Sequence, residues 1–434
     1  MTPPRINSIP PQSRHFVFRN AVLTSFSRPQ HDVASDFAPF SKADWKSQSR
    51  WLDVSGLALY LLDRLTELHL EHLIPDDLRV KLDTNLADNR KRNAALLQEA
   101  VKINQSFQNE KILYANVKGI TLVPDSVPDY GLRCQLDLDF VVVAEHADRA
   151  RHVLETMGYE LHCVAGHTLD FRTSTSEVAF IDDLYKVKPQ KTVEIHLAPP
   201  DGILARSYPR MISGTPFFVF SPVDIFLAQA KHLFKHLSSA HTRVAWLLEA
   251  RRHMLARQPD EAFWRDVADA IADDPKAAMA LAFVTLLMED VFEDAPTTYL
   301  TGLIEKTVPP PVRLWLQRYG CRCLLADIPG TKLYLLLLAV LPSQFKASRS
   351  LRNTHLLPLH RPPMITSGYA GEPIFSKLNR YRIQVGYIFF RTRFHCVAGA
   401  AYFFESYRFG RLLKTLDRDL DCPQRDTRSP LKLR

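Results

Sequence analysis

The chain has 434 residues, 46% of them apolar and 24% charged, with a formal net charge of +8; that balance belongs to a globular protein long enough for two or three cored domains and excludes a wholly disordered or fibrous one. Its six cysteines include no Cys-x-x-Cys pair, which argues against a disulfide-built secreted scaffold and against a zinc ribbon. No apolar run approaches the ~20 residues that span a bilayer, so a cytoplasmic protein, at most peripheral to a membrane, is expected.

Residues 1–40 are rich in proline, serine and arginine, carry no acidic residue before Asp32, and hold no apolar core of signal-peptide length. They read as a disordered, solvated leader. Residues 41–111 form the next region, where apolar side chains recur at spacings of three and four through Trp51, Leu52, Leu59, Leu62 and Leu65, and again through Leu82, Leu86, Leu97, Val101 and Phe107. The period is helical, with one long helix over 89–108 that delivers the chain to a sheet and braces it.

Residues 112–200 change period. Ala115 to Ile120 is a short apolar strand broken at Lys118-Gly119, where a glycine lets backbone approach a phosphate closely. Then comes Asp137-Leu138-Asp139-Phe140-Val141-Val142-Val143. Side chains alternate along a strand, so Asp137 and Asp139 share one face about 7 Å apart and Leu138 and Phe140 take the other. Paired carboxylates repel unless a cation joins them, and hard oxygen ligands favour Mg²⁺. An amphipathic helix over 145–157 and two or three short strands come next, and the alternation in Thr192-Val193-Glu194-Ile195-His196-Leu197 puts Glu194 and His196 on one face.

In this order, Lys118-Gly119, Arg133, Asp137-Leu138-Asp139, Gly158-Tyr159 and Glu194-Ile195-His196, the residues resemble the uncharacterised branch of nucleotidyltransferases that share the DNA polymerase beta catalytic fold. The resemblance covers roughly residues 85–255. It implies an α+β fold in which a small mixed sheet forms the nucleotidyltransferase core, flanked by N-terminal and C-terminal helical regions. It further implies that Asp137, Asp139 and Glu194 are the catalytic, metal-holding acids for Mg²⁺ or Mn²⁺, and that Lys118, Gly119, Thr121, Arg133 and His196 contact the nucleotide. The partners implied are an NTP donor and an acceptor hydroxyl of unknown identity. The phosphate turn departs from the wider superfamily, since Gly119-Ile120-Thr121 stands where Gly-Ser or Gly-Gly is usual, and Lys118 or Thr121 would replace the serine. That departure supports an alternative, a catalytically degenerate fold acting as a nucleotide- or partner-binding regulatory subunit.

Residues 201–308 are expected to be helical and packed on the core, opened by Ser221-Pro222-Val223-Asp224, which carries a helix-start signature. Residues 309–434 are a basic, aromatic-rich helical region. From Lys346 onward there are 17 Lys and Arg against 6 Asp and Glu, a net of +11, whereas the first 345 residues sum to 38 against 41, or −3. Basic residues interleaved with aromatics suit an anionic surface, nucleic acid or phospholipid. A third reading of function, binding of such a surface through the tail, rests on that segment.

Overall fold

The computed structural model describes residues 13–174, 184–188, 190–199, 202–293, 298–342, 356 and 373–421. The fold is α+β, with one seven-stranded mixed sheet among helices. The chain separates into two compact units, residues 1–234 with 243–305, and residues 235–242 with 306–434.

In the first unit the helices α1 (Arg14–Thr24), α2 (Gln30–Phe37), α3 (Lys42–Ser55) and α4 (Ala58–Glu67) precede the long helix α5 (Asp76–Asn109). The first two correct the expected leader: residues 14–37 are folded, and only 1–12 lie outside the described residues. Their composition is polar, but Phe18, Val22, Val33 and Phe37 fall at helical spacing and are buried. The Phe18 ring meets Trp45 edge-on at 4.9 Å and Phe37 stacks on it at 5.3 Å. Four apolar residues in the right register outweigh an unfavourable average.

The sheet holds β1 (Tyr114–Val117), β2 (Leu138–Val143), β3 (Tyr159–Ala165), β4 (Thr168–Thr173), β5 (Thr192–Ala198), β6 (Tyr208–Ile212) and β7 (Thr215–Val219), in the order β3-β4-β5-β2-β1-β7-β6. The last two correct the expected all-helical stretch after residue 200. Pro209 and Pro216 argue against strands there, but Pro209 lies on the outermost strand and Pro216 precedes the point, Val219, at which β7 pairs with β1. Neither removes a hydrogen bond that the ladder needs. Ser213 and Gly214, both at positive φ (49° and 77°), close the two-residue hairpin, the geometry a tight β-turn demands.

One face of the sheet is apolar and covered. Leu138, Phe140, Val142, Phe171, Val193 and Ile195 are buried there, together with Phe107 of α5 and with Ala150, Val153 and Leu154 of the helix α6 (Ala147–Thr156). Phe107 is fully buried, its ring 5.2 Å from Tyr114 and 5.4 Å from Phe140. A buried polar link fixes the same contact: Asn116 Nδ2 donates to Asn104 Oδ1 at 2.7 Å and to the carbonyl of Phe218 at 3.1 Å, and the Tyr114 hydroxyl donates to Asn104 Oδ1 at 2.8 Å. The chain thus ties α5 to β1 and β7 through groups that have no water to fall back on.

The turn after β1 aims Lys118. Lys118 and Gly119 both take positive φ (55° and 40°), and a Cβ at Gly119 would lie 2.2 Å from Gln135 Nε2. That amide donates to the Asp137 carbonyl at 2.7 Å, so the glycine admits the loop that leads into β2. The Thr121 side chain is buried and its hydroxyl donates to the Lys118 carbonyl at 2.8 Å.

On the open side, α7 (Pro222–Leu237), α8 (Ala245–Ala256), α9 (Glu261–Ala272) and α10 (Pro275–Phe292) complete the helical layer, and α11 (Thr298–Thr307) comes after them. In the second unit α12 (Pro310–Trp315) runs through a π turn, Leu316–Gly320, into α13 (Cys321–Leu324), and α14 (Tyr334–Val340) and α15 (Ile374–Asp421) complete the order. The short apolar run at 333–341 forms this helix α14, with Tyr334, Leu335, Leu336 and Leu337 buried. Residues 424–434 of the expected helical region lie outside the described residues. Among the described residues no helix is long and apolar enough to cross a membrane.

Phe107→Ala is expected to lower stability by about 3–5 kcal/mol, since the site cannot collapse around so large a loss; urea unfolding of the two proteins gives the difference. Gly119→Ala is expected to cost about 1–3 kcal/mol from the left-handed backbone alone, plus the Gln135 hydrogen bond it displaces. Adding Gln135→Ala relieves the clash and leaves the backbone strain, so a double variant as stable as wild type would contradict a strained left-handed turn.

Candidate metal and nucleotide site

Register builds the site. β2 and β5 run parallel with Asp139 opposite Glu194 and Val141 opposite His196, so Asp139, Glu194 and His196 rise from the face opposite the apolar one. Val117 of β1 pairs with Asp139 from the other side, which brings the Lys118 turn to the head of the same row. Oxygen atoms of Asp139 and Glu194 and a ring nitrogen of His196 lie within 4.8 Å of one another.

The cluster is held by its own counter-charges. Lys118 Nζ is bonded to Asp139 Oδ1 and stands 3.9 Å from Glu194 Oε2. His196 Nε2 is 3.2 Å from Asp139 Oδ1 and 3.6 Å from Glu194 Oε2, and its Nδ1 is 3.1 Å from the Thr168 hydroxyl. With Nε2 protonated, the imidazole donates to Asp139 and accepts from Thr168; the other tautomer frees Nε2 as an electron-pair donor. Burial opposes ionisation of Asp139, but the His196 hydrogen bond and the Lys118 ammonium overcome it and hold the carboxyl below its ordinary range. Burial likewise favours neutral Lys118, and Asp139, Asp137 and Glu194 keep it charged.

Asp137 stands apart from the geometry expected of it. Strand β2 begins at Leu138, so Asp137 is in the loop before it and belongs to the field of the cluster without joining its converging atoms. Burial, then repulsion from Asp139 and Glu194, pushes its carboxyl up to about 6. The site therefore carries more negative charge than Lys118 neutralises, which is the condition under which carboxylates accept a cation.

Other expected contacts are differently engaged. Thr121 spends its hydroxyl on the turn. Arg133 is largely buried and pairs with Glu249 of α8 at 3.1 Å, while Tyr60 of α4 donates to the same carboxylate at 3.0 Å. Burial works against the Arg133 charge, and Glu249 and Asp137 restore it, raising the guanidinium above its usual range. Arg133 thus anchors the loop entering β2 to the helical layer. Glu249, Thr168 and Gln135 act at the site without having been legible in the sequence. Nor was Asp170, which pairs with Glu194 across β4 and β5 and is held by Arg172 at 2.7 Å; the alternation of Thr168-Leu-Asp170-Phe-Arg172 is the signal that could have found it.

A cavity of about 210 Å³ opens beside Lys118, walled by Val117, Val141, Phe220, Trp246 and the Arg133–Glu249 pair. The Trp246 indole is steadied edge-on by His232 at 4.5 Å.

Comparison with known proteins places these residues. A solved structure of an antigenic nucleotidyltransferase-like protein from Paracoccidioides brasiliensis is similar over 45% of this chain and 94% of its own, at 16% identity and a TM-score of 0.27, too low for any functional reading. No curated protein matches. A family model described as uncharacterised nucleotidyltransferase matches residues 41–293, a span that holds the Lys118 turn, the Asp139–Glu194–His196 cluster and the cavity beside them. The chain belongs to that family of uncharacterised nucleotidyltransferases.

Proposed function

We propose that the protein transfers a nucleoside monophosphate from an NTP to an acceptor hydroxyl, with Mg²⁺ or Mn²⁺ held by Asp139 and Glu194 and completed by His196. The observation that carries the reading is the parallel register of Asp139 with Glu194, which sets two carboxylates and an imidazole around one point on the face of the sheet opposite α5 and α6. Asp137 adds charge from the preceding loop. A divalent cation there would neutralise charge on the transferring phosphoryl group and favour ionisation of the attacking oxygen.

In this reading the acceptor oxygen bonds to the α-phosphorus as the bond from that phosphorus to the bridging β-oxygen breaks, and pyrophosphate leaves. Glu194, whose side chain is 31% exposed against 2% for Asp139, is the carboxylate open to receive the acceptor's proton. Lys118 is the chain's own cation in the site; a divalent ion held by Asp139 and Glu194 would supply the positive charge that the lysine supplies to them, and the ammonium would then be available to the phosphates. The Gly119 turn brings backbone to the same place, so the missing hydroxyl contact of Thr121 is replaced by the ammonium of Lys118. The cavity walled by Trp246 and Phe220 suits a flat nucleotide base, which gains stacking free energy on an aromatic face.

Lys118 bonded into the acidic cluster also favours a second reading, a nucleotide- or partner-binding subunit without turnover, in which the lysine permanently fills the metal's place.

The test is a thermal-shift titration with each NTP, with and without Mg²⁺ or Mn²⁺. A ligand at about 100 times its Kd stabilises the native state by about 2.7 kcal/mol. The expected result is a metal-dependent shift by NTP that Asp139→Asn/Glu194→Gln abolishes, and pyrophosphate release once an acceptor is supplied. Lys118→Met is expected to strengthen stabilisation by metal alone, because the competing cation is gone, and to weaken the additional shift from NTP. Stabilisation by nucleotide that needs no metal and survives the double substitution would leave the binding subunit; no shift with any nucleotide would end both readings of this site.

A further inference from the structure

Helix α15 (Ile374–Asp421) has two faces of opposite character. At 100° per residue, Gln384, Phe394, Glu405 and Phe409 fall on one side, and this side is packed within its own unit. Tyr319 donates its hydroxyl to Glu405 at 3.2 Å and meets the Phe409 ring at 5.6 Å, and Arg322 pairs with Glu405 at 2.9 Å. Lys332 lies over the Phe394 ring at 5.9 Å.

The opposite side is apolar and open. Leu378, Tyr381, Val385, Phe389, Phe403 and Tyr407 succeed one another on it at helical spacing, and Val385, Phe389, Phe403 and Tyr407 are 65%, 72%, 63% and 70% exposed. Large apolar side chains so exposed in a row are rare on a surface meant only for water. The stripe runs from Ile374 to Tyr407, about 50 Å at 1.5 Å per residue.

Charge identifies the occupant. Between Ile374 and Lys414 there are eight Lys and Arg and one acidic residue, and that residue, Glu405, is turned inward and buried. Arg382, Arg393 and Arg411 line one edge of the stripe, Lys414 continues it, and all four are exposed. Two copies of the stripe face to face would bring these cations together with no outward acid between Ile374 and Lys414 to offset them; the helix's other acids, Asp417, Asp419 and Asp421, lie beyond the end of the stripe at Tyr407. A nucleic acid answers the cations and stacks on aromatic side chains, but Leu378 and Val385 present a base with no aromatic plane and find in it no apolar phase to enter. An anionic bilayer answers both: its acyl boundary takes the stripe and its headgroups the cations.

We propose that the outward face of α15 docks on an anionic phospholipid surface, the helix lying in the plane of the headgroups with Phe389 and Phe403 inserted and Arg382, Arg393 and Arg411 at the phosphates. The surface stands on observations separate from the acidic cluster and holds whether or not that cluster transfers nucleotides.

The full-length protein is sedimented with vesicles of phosphatidylcholine alone and of phosphatidylcholine mixed with phosphatidylserine. Binding to the mixed vesicles is expected to be at least about tenfold tighter and to weaken as salt is raised. Phe389→Glu/Phe403→Glu should abolish it, and Arg382→Glu/Arg393→Glu/Arg411→Glu should weaken it by more than about tenfold, at about tenfold or less per surface cation. All the substituted side chains are exposed, so unchanged circular dichroism and an unchanged shift with NTP are expected of both variants. Equal binding to the two kinds of vesicle, or binding that either variant leaves intact, overturns the proposal. So does failure to bind mixed vesicles, whether accompanied by a dimer in light scattering that Phe389→Glu/Phe403→Glu dissolves, by tight binding of an RNA oligonucleotide, or by neither.

Discussion

Asp139 is a carboxylate buried at the centre of a sheet, and an ionised group in such a place costs several kcal/mol unless partners answer it. Here the answer comes from two directions: Lys118 from the turn after β1 and His196 from β5. The elements that supply those partners must sit in one arrangement for the charge to be tolerated. The Gly119 turn has to take a left-handed backbone to bring the lysine over, and β5 has to lie parallel to β2 in one register to bring the histidine.

The apolar face enforces that register. Phe140, Val193 and Ile195 are buried on the side away from the acids, and a slip of one residue would turn the acids into the core and the aromatics to water. Helix α5 is the counterpart, pressing Phe107 onto Phe140 and binding β1 through Asn104 and Asn116. The acidic cluster is thus carried by packing on the opposite side of the sheet. The Arg133–Glu249–Tyr60 link does similar work at the edge, fixing the loop before β2 to helices that come from both ends of the first unit.

The second unit is built on a different principle. Its last helix is anchored by Tyr319 and Arg322 on Glu405, which consumes the one acid between Ile374 and Lys414 and leaves a basic, aromatic surface outward. The proposed nucleotidyl transfer and the proposed attachment to an anionic surface are separable because they draw on separate units and on separate side chains, acids in the sheet and cations in the helix.

The order of Lys118-Gly119, Asp-x-Asp and Glu-Ile-His carried the resemblance that implied the family and the α+β core, while the faces of the strands were legible because alternation along a strand is local and survives any packing. Helix α5 was legible for the same reason, its apolar period being written along one segment. The folded helices at 14–37 were not, since they depend on buried residues at helical spacing, of which Phe18 and Phe37 meet Trp45, rather than on average composition. Strands β6 and β7 were hidden by prolines that only the sheet order shows to be harmless. At the site, strand alternation predicted that Glu194 and His196 share a face, but their meeting with Asp139 is a matter of register between strands 55 residues apart in the chain. Asp137 stepping out of the strand, Thr121 turning inward and Asp170 arriving beside Glu194 were likewise decided by tertiary structure, because side-chain partners across a sheet are set by how strands align, and no single strand records its neighbour.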